Sequence, residues 1–209
     1  MSSRLRISST VMSRRQPNQA TVFNDCDNIE RQMQEDEHKI WGWVVYRSDY
    51  SSEEDWQEFL QRLRHVWITT SLKIKTFLTA TIREHFRVWA ATASEQEQGA
   101  GPARSQRYQF CIQVDSDALH SVVHNPLSPG DSGYRNNRGW VKLIWKDWEP
   151  AADDAMEWRD EQPVEGIALN DVGWCRATYE YIMPTMYAMI RSRNDWYREY
   201  RRPPKVIHG

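Results

Sequence analysis

The strongest periodicity in the chain is helical. Trp56, Phe59, Leu60, Leu63 and Trp67 recur at spacings of 3, 4, 7 and 11, one stripe of an amphipathic helix. Ser51 with Glu54 three residues on has capping-box spacing at its start. Just upstream, Ile40-Trp41-Gly42-Trp43-Val44-Val45-Tyr46 is apolar on both faces and β-rich, so it reads as a central strand. Residues 71–79 fit either a strand or the lead-in to a helix. Ile82, Phe86 and Trp89 predict a second amphipathic helix near 80–92, and residues 94–106, rich in Gln, Gly, Ala and Pro, read as a flexible loop. Tyr108, Phe110, Ile112 and Val114 alternate with Gln109, Cys111 and Gln113, which predicts a strand with one buried face.

Asp115 or Ser116 suits the cap of a short helix through Val123. Pro126, Pro129, Gly130, Gly133 and Gly139 mark a long loop. Gly139–Trp148 follows as a strand with Val141, Leu143 and Trp145 on one face, and Val172–Thr178 reads as a last strand. Pro184 opens a final helix carrying Met186, Met189, Ile190, Arg193, Tyr197 and Tyr200 on one face, and Pro203-Pro204 ends it. This order predicts a single α+β domain over residues 29–204. It is expected as a sandwich with a mixed or antiparallel sheet of about four to five strands and about three to four helices mainly on one face. Residues 1–28 are expected to be a disordered basic tail, with a mitochondrial presequence as the other reading of their Arg- and Ser-rich start. Residues 205–209 are expected to be a C-terminal tail.

Composition narrows the class. With 209 residues, 40% hydrophobic and 27% charged, the chain has the material for one core. No apolar run reaches the roughly 20 residues of a spanning helix, so no membrane insertion is expected. Three cysteines, Cys26, Cys111 and Cys175, lie far apart, which argues against a disulfide scaffold and for a reducing, cytoplasmic setting. The net charge is only -2, so the whole chain is no polycation for coating DNA. Charge is nonetheless uneven. Arg4, Arg6, Arg14 and Arg15 make the start basic, and Arg191, Arg193, Arg198, Arg201, Arg202 and Lys205 make the end basic around an acidic body. Residues 147–165 hold eight acids and one base, a solvated acidic loop unless it faces a site.

Motifs for ATP, dinucleotides, α/β-hydrolase chemistry and zincin chemistry are absent. His120 and His124 with Asp117 share a helical face and could ligate a metal, but no further ligand accompanies them, so surface histidines are the simpler reading. Asp-x-x-x-Glu occurs three times, as Asp49–Glu53, Asp153–Glu157 and Asp195–Glu199. On a helix this spacing puts two carboxylates on one face, about 5–6 Å apart at Cβ. Such a pair can grip a guanidinium or divide acid and base roles. Asp49–Glu53 straddles a strand-to-helix turn, where capping is the competing reading. Asp195–Glu199 lies among Trp196, Tyr197, Tyr200, Arg198, Arg201 and Arg202, a mixture suited to RNA ends. The competing reading there is surface ion pairing with Arg191, Arg198 or Arg202.

Five segments carry a family resemblance: Trp43-Val44-Val45-Tyr46-Arg47-Ser48-Asp49-Tyr50, Arg107-Tyr108-Gln109-Phe110-Cys111, Gly139-Trp140-Val141-Lys142-Leu143, Asp171-Val172-Gly173-Trp174, and Trp196-Tyr197 with Arg202-Pro203-Pro204. Over roughly residues 40–204 the chain resembles a large group of filamentous-fungal proteins, of which the arginine-containing cyclodipeptide synthases look like a functional branch. That family depends on an Asp-x-x-x-Glu motif and joins arginine to a second amino acid, both taken from aminoacyl-tRNAs. The resemblance implies Asp195 and Glu199 as catalytic residues and Asp49, Glu53, Trp196, Arg198 and Arg202 as substrate-binding residues. It implies arginyl-tRNA and a second aminoacyl-tRNA as partners, with no cofactor and no metal. The alternative is a non-catalytic α+β interaction or regulatory protein.

Overall fold

The computed structural model describes residues 17–18, 20, 23–64, 70–73, 78–124, 139–150 and 162–208. Helix α1 (Asp25–Glu35) starts under Asn24, whose side chain accepts from Asp27 N at 3.1 Å. Order therefore begins before residue 29, inside the stretch expected as a tail, because Asn24 caps and Ile29 is buried in the core. The tail's residues 1–16 lie outside the described residues. Strand β1 (Val44–Arg47) is buried on both faces, as its sequence predicts. Helix α2 (Glu53–Arg64) buries Trp56, Phe59 and Leu63, while Trp67 lies outside the described residues. Its cap is Ser52 rather than Ser51: Ser52 Oγ accepts from Asp55 N at 3.0 Å.

Strand β2 (Thr70–Lys73) and helix α3 (Thr79–Gln98) show that both readings of residues 71–79 hold, in succession. Helix α3 runs six residues past its predicted end, through half of the expected loop. Its Ala, Glu and Gln residues are strong helix formers, Ala93 and Ser94 are buried, and the helix stops only where Gly99 adopts φ +70°. Gln98 then ties it to the chain before β1, accepting from Lys39 N and Ile40 N and donating to Ile40 O.

Strand β3 (Phe110–Val114) follows a single 3-10 turn, and helix α4 (Ser116–Val123) is capped by Asp115, whose Oδ1 accepts from Ala118 N at 3.0 Å. Strands β4 (Trp140–Trp145) and β5 (Trp174–Thr178) come next. The single final helix expected from Pro184 is instead two pieces, α5 (Tyr187–Met189) and α6 (Arg193–Glu199). They part because Ile190 leaves helical geometry and Ser192 caps α6. Strand β6 (Val206–Ile207) lies in the expected C-terminal tail and pairs with Arg176 and Ala177 of β5. Two residues are too few to show a pattern. The loop prolines and glycines between 126 and 138, and the acids between 151 and 161, lie outside the described residues.

The sheet has six strands in the order β2-β1-β3-β4-β5-β6, and only β4 runs antiparallel to its neighbours. The protein is α+β with a mixed sheet, and the described residues add one strand and more helices than expected. One face, with Val45, Ile112, Leu143 and Ala177, packs on Ile29, Phe59, Leu119 and Trp196 from α1, α2, α4 and α6. The other, with Val44, Cys111, Ile144 and Trp174, is covered by Ile82, Phe86, Ala90 and Ala93 of α3. Each such aliphatic or phenyl side chain stabilises the fold by about 1.5–3 kcal/mol when fully buried. Among the described residues helices thus lie mainly on one face, with α3 alone on the other.

Candidate functional site

Strand order reverses at β1. The chain leaves β1 through α2 to reach β2, then returns through α3 on the opposite face to reach β3. At the carboxyl ends of β1 and β3 both exits turn toward the α2 and α4 face, where those two helices touch. Among the described residues, the α3 face at that end holds the first turn of α3 and a tight turn bridging Val164 and Ile167. Open sheets with parallel strands commonly bind ligands outside the carboxyl ends where the order reverses.

A buried polar network fills this place. Gln113 and Ser48 are both 0% exposed. Gln113 Nε2 donates to Ser48 Oγ at 3.2 Å, and the Ser48 hydroxyl donates to Val114 O at 3.3 Å. The Thr79 hydroxyl reaches both Gln113 Oε1 (3.0 Å) and Glu165 Oε1 (2.9 Å), and can donate to one at a time. Lys142 Nζ sits 2.9 Å from Asp115 Oδ2 and 2.8 Å from Glu165 Oε1, and lies 4.3 Å above the Trp174 ring. This satisfies a side chain that would otherwise bury an unpaired charge. The Glu165 side chain is 35% exposed, the most open of the three charged groups. Beside the network, the Tyr46 hydroxyl contacts His85 Nδ1 at 2.9 Å, and burial pushes its pKa well above the ordinary phenol value, so it stays a neutral donor.

Across the ladder from Lys142 stands Arg176. Its guanidinium stacks 4.0 Å over the Trp140 ring, and burial lowers its pKa while Asp117 and Asp115 oppose the shift. Arg202 straps the site from behind: its guanidinium donates to Leu169 O, Gln162 O and Ile167 O, fixing the turn that carries Glu165.

The residues expected as the site lie elsewhere and face other groups. Asp195 Oδ2 accepts from Arg191 N (3.1 Å) and Ser192 Oγ (2.8 Å), closing the start of α6. Its Oδ1 lies 3.1 Å from Arg198, and Glu199 Oε1 lies 3.0 Å from the same guanidinium. The two acids do clamp a guanidinium, but it is the chain's own. Trp196 is 0% exposed, stacks on Phe110 and donates to Asp171 Oδ2 at 2.8 Å, so it is core rather than a stacking platform. At Asp49–Glu53, Glu53 pairs with Arg47 at 2.5 Å, and Arg47 is held between the Tyr50 and Trp56 rings. Asp49 Oδ1 accepts from Ser51 N at 2.8 Å. Asp153–Glu157 lies outside the described residues. His124 pairs with Asp55 and its ring centroid lies 5.1 Å from that of His120, but among the described residues no group of three or more His, Cys, Asp or Glu gathers as a metal-ligand set.

The sequence reading missed Ser48, Thr79, Gln113, Lys142, Glu165 and Arg176. One signal was present: the predicted polar face of β3 is buried at every position, so Gln113 had to find an internal partner. Lys142, inside Trp-Val-Lys-Leu-Ile-Trp, carries the same message.

No family model, curated protein or solved structure matches the chain. Among the described residues no helix is long and apolar enough to cross a membrane. Chemically, the site offers a buried cation for a developing negative charge, and a carboxylate, Glu165, open enough to take a proton from a ligand.

Proposed function

We propose that this chain is an aminoacyl-tRNA-dependent cyclodipeptide synthase with its reaction centre at the Lys142–Asp115–Glu165 cluster. One observation carries the location: an ammonium held by two carboxylates from separate elements at the carboxyl ends of β1 and β3. The substrate class rests on the resemblance. An aminoacyl ester is already activated, which suits a chain without nucleotide-binding motifs.

In each of two steps an α-amine attacks an ester carbonyl. A C–N bond forms, a C–O bond breaks, and the amine proton ends on the departing tRNA hydroxyl. Glu165 is the base that takes the proton, and Lys142 stabilises the oxyanion. Arginyl-tRNA and a second aminoacyl-tRNA are the substrates, the product is a cyclo-Arg-Xaa diketopiperazine at the head of a fungal secondary-metabolite pathway, and the setting is the cytoplasm.

The test is untargeted metabolite analysis of a heterologous host expressing the full chain, with the purified protein assayed on charged tRNA. The expected result is an arginine-containing cyclic dipeptide that falls by about 10²-fold or more in Glu165→Gln. In Asp195→Asn it should fall only with any loss of folded protein. A folded protein that makes no such product and consumes no aminoacyl-tRNA ends the proposal. A second reading, a non-catalytic interaction protein, is favoured by one fact: both described Asp-x-x-x-Glu segments engage arginines of the chain itself.

A further inference from the structure

Arg176 differs from the other well-covered arginines. Arg47, Arg83, Arg107, Arg191 and Arg202 all donate to carboxylates or carbonyls of the chain. Arg176 makes no hydrogen bond or ion pair among the described residues, and its Nε is buried without a partner. Trp174, two residues earlier on the same face of β5, is 3% exposed, and its Nε1 is also buried without a partner. A desolvated donor without an acceptor is destabilising, and a charged one more so. Two of them on one face of one strand are unusual enough to need a cause.

The surroundings indicate the missing partner. Arg176 lies over Trp140 and Lys142 lies over Trp174, two diagonal cation–π pairs between β4 and β5. Stacking fixes the guanidinium plane, and its fork of N–H donors matches a bidentate acceptor. The facing acids are Asp115, already tied to Lys142, and Asp117 in the first turn of α4. They keep Arg176 charged but give it no hydrogen bond. Both groups left without a partner here, Arg176 Nε and Trp174 Nε1, are donors.

We propose that Arg176 anchors an oxyanion subsite on the α3 face of β4 and β5, and that its ligand is a phosphate group gripped by the guanidinium edge. A phosphate carries enough charge to compete with Asp115 and Asp117. Free phosphate esters and the phosphodiesters of an RNA 3′ end share this chemistry. The RNA source rests on the proposed function; the phosphate site does not.

The full chain is titrated with pyrophosphate and, separately, with the single-stranded RNA trinucleotide CCA. Tryptophan fluorescence and the NMR signal of the Arg176 Nε–H report binding. The expected result is saturable binding of at least one probe, weakened by added salt. Arg176→Gln should bind about tenfold more weakly or worse. Should Arg176→Gln not fold, Arg176→Lys keeps the charge without the fork and should bind about threefold more weakly or worse. Binding of pyrophosphate alone assigns a free phosphate ester, and binding of CCA alone assigns an RNA end. The subsite is overturned if neither probe binds, or if folded variants bind as the wild type does. Phosphate binding without cyclic dipeptide formation defeats the proposed function alone, and cyclic dipeptide formation by a protein that binds neither probe defeats the subsite alone.

Discussion

Lys142→Met is the most direct probe of the cluster. It keeps the length of the side chain and removes the ammonium. In the wild type that ammonium sits between Asp115 and Glu165, whose side chains are 15% and 35% exposed. Removing one partner of a fully buried pair costs about 3–5 kcal/mol. Glu165 is open enough to be partly rehydrated, which lowers the expected loss to about 2–3 kcal/mol, the cation–π contact with Trp174 included. At about 2–4 °C per kcal/mol for a chain of this size, Tm falls by about 4–12 °C. Without the cation the two carboxylates are left unneutralised. Urea unfolding at neutral pH, read by tryptophan fluorescence, measures the loss. The double variant Lys142→Met with Glu165→Gln removes one of the two charges and should recover about 1 kcal/mol. A deficit under about 0.5 kcal/mol, or a double variant no more stable than Lys142→Met alone, would refute the reading of a buried, charge-paired cluster.

Gly173→Ala should destabilise by about 3 kcal/mol or more, because a Cβ there would lie 2.5 Å from Arg83 Nη2 and from the Trp148 ring, at a φ of +75°. A melting temperature within about 2 °C of the wild type would sink this claim. The fold should also fail in alkali. Burial raises the pKa of Cys111, Cys175, Tyr46, Tyr108 and Tyr200. Stability is present in full below the free-chain values, about 8.5 for Cys and 10 for Tyr, and each group removes about 1.4 kcal/mol per pH unit above them. The buried tyrosines' share of the tyrosinate absorbance and the circular dichroism should therefore change together between about pH 9 and 11, and ionisation of Tyr46, Tyr108 and Tyr200 with the fold intact would contradict it.

The amphipathic stripes and the both-sided apolar strand were legible, because burial on one known face imposes a period that local sequence records. That is why α2, β1 and the apolar positions of β3 and β4 fall where expected. What failed were boundaries decided by single side chains. Gln98 and Gly99 set the end of α3, and Ser192 with Asp195 sets the break before α6. The centre of the polar network was half legible, since Gln113 and Lys142 are polar residues inside strands. Its other half was not: Thr79 and Glu165 meet across 86 positions, and no local pattern encodes that encounter.

The two described Asp-x-x-x-Glu segments explain why spacing alone is a poor guide to a guest site. Carboxylates a helical turn apart share a face with whatever arginine the same turn supplies, and the tether gives that arginine an effective concentration no free ligand matches. Arg198 lies between Asp195 and Glu199 in the chain and takes both, although its own side chain is 58% exposed. Arg47, at the end of β1, takes Glu53 and, of Asp49, only the backbone carbonyl. Asp115 and Glu165 are far apart in sequence, coming from the cap of α4 and from a remote turn, so no residue of the same turn fills them. The cation between them, Lys142, comes from a third element and is fixed by the sheet. On the proposed function, a ligand amine reaching Glu165 would compete with the Lys142 ammonium, which Asp115 would continue to hold.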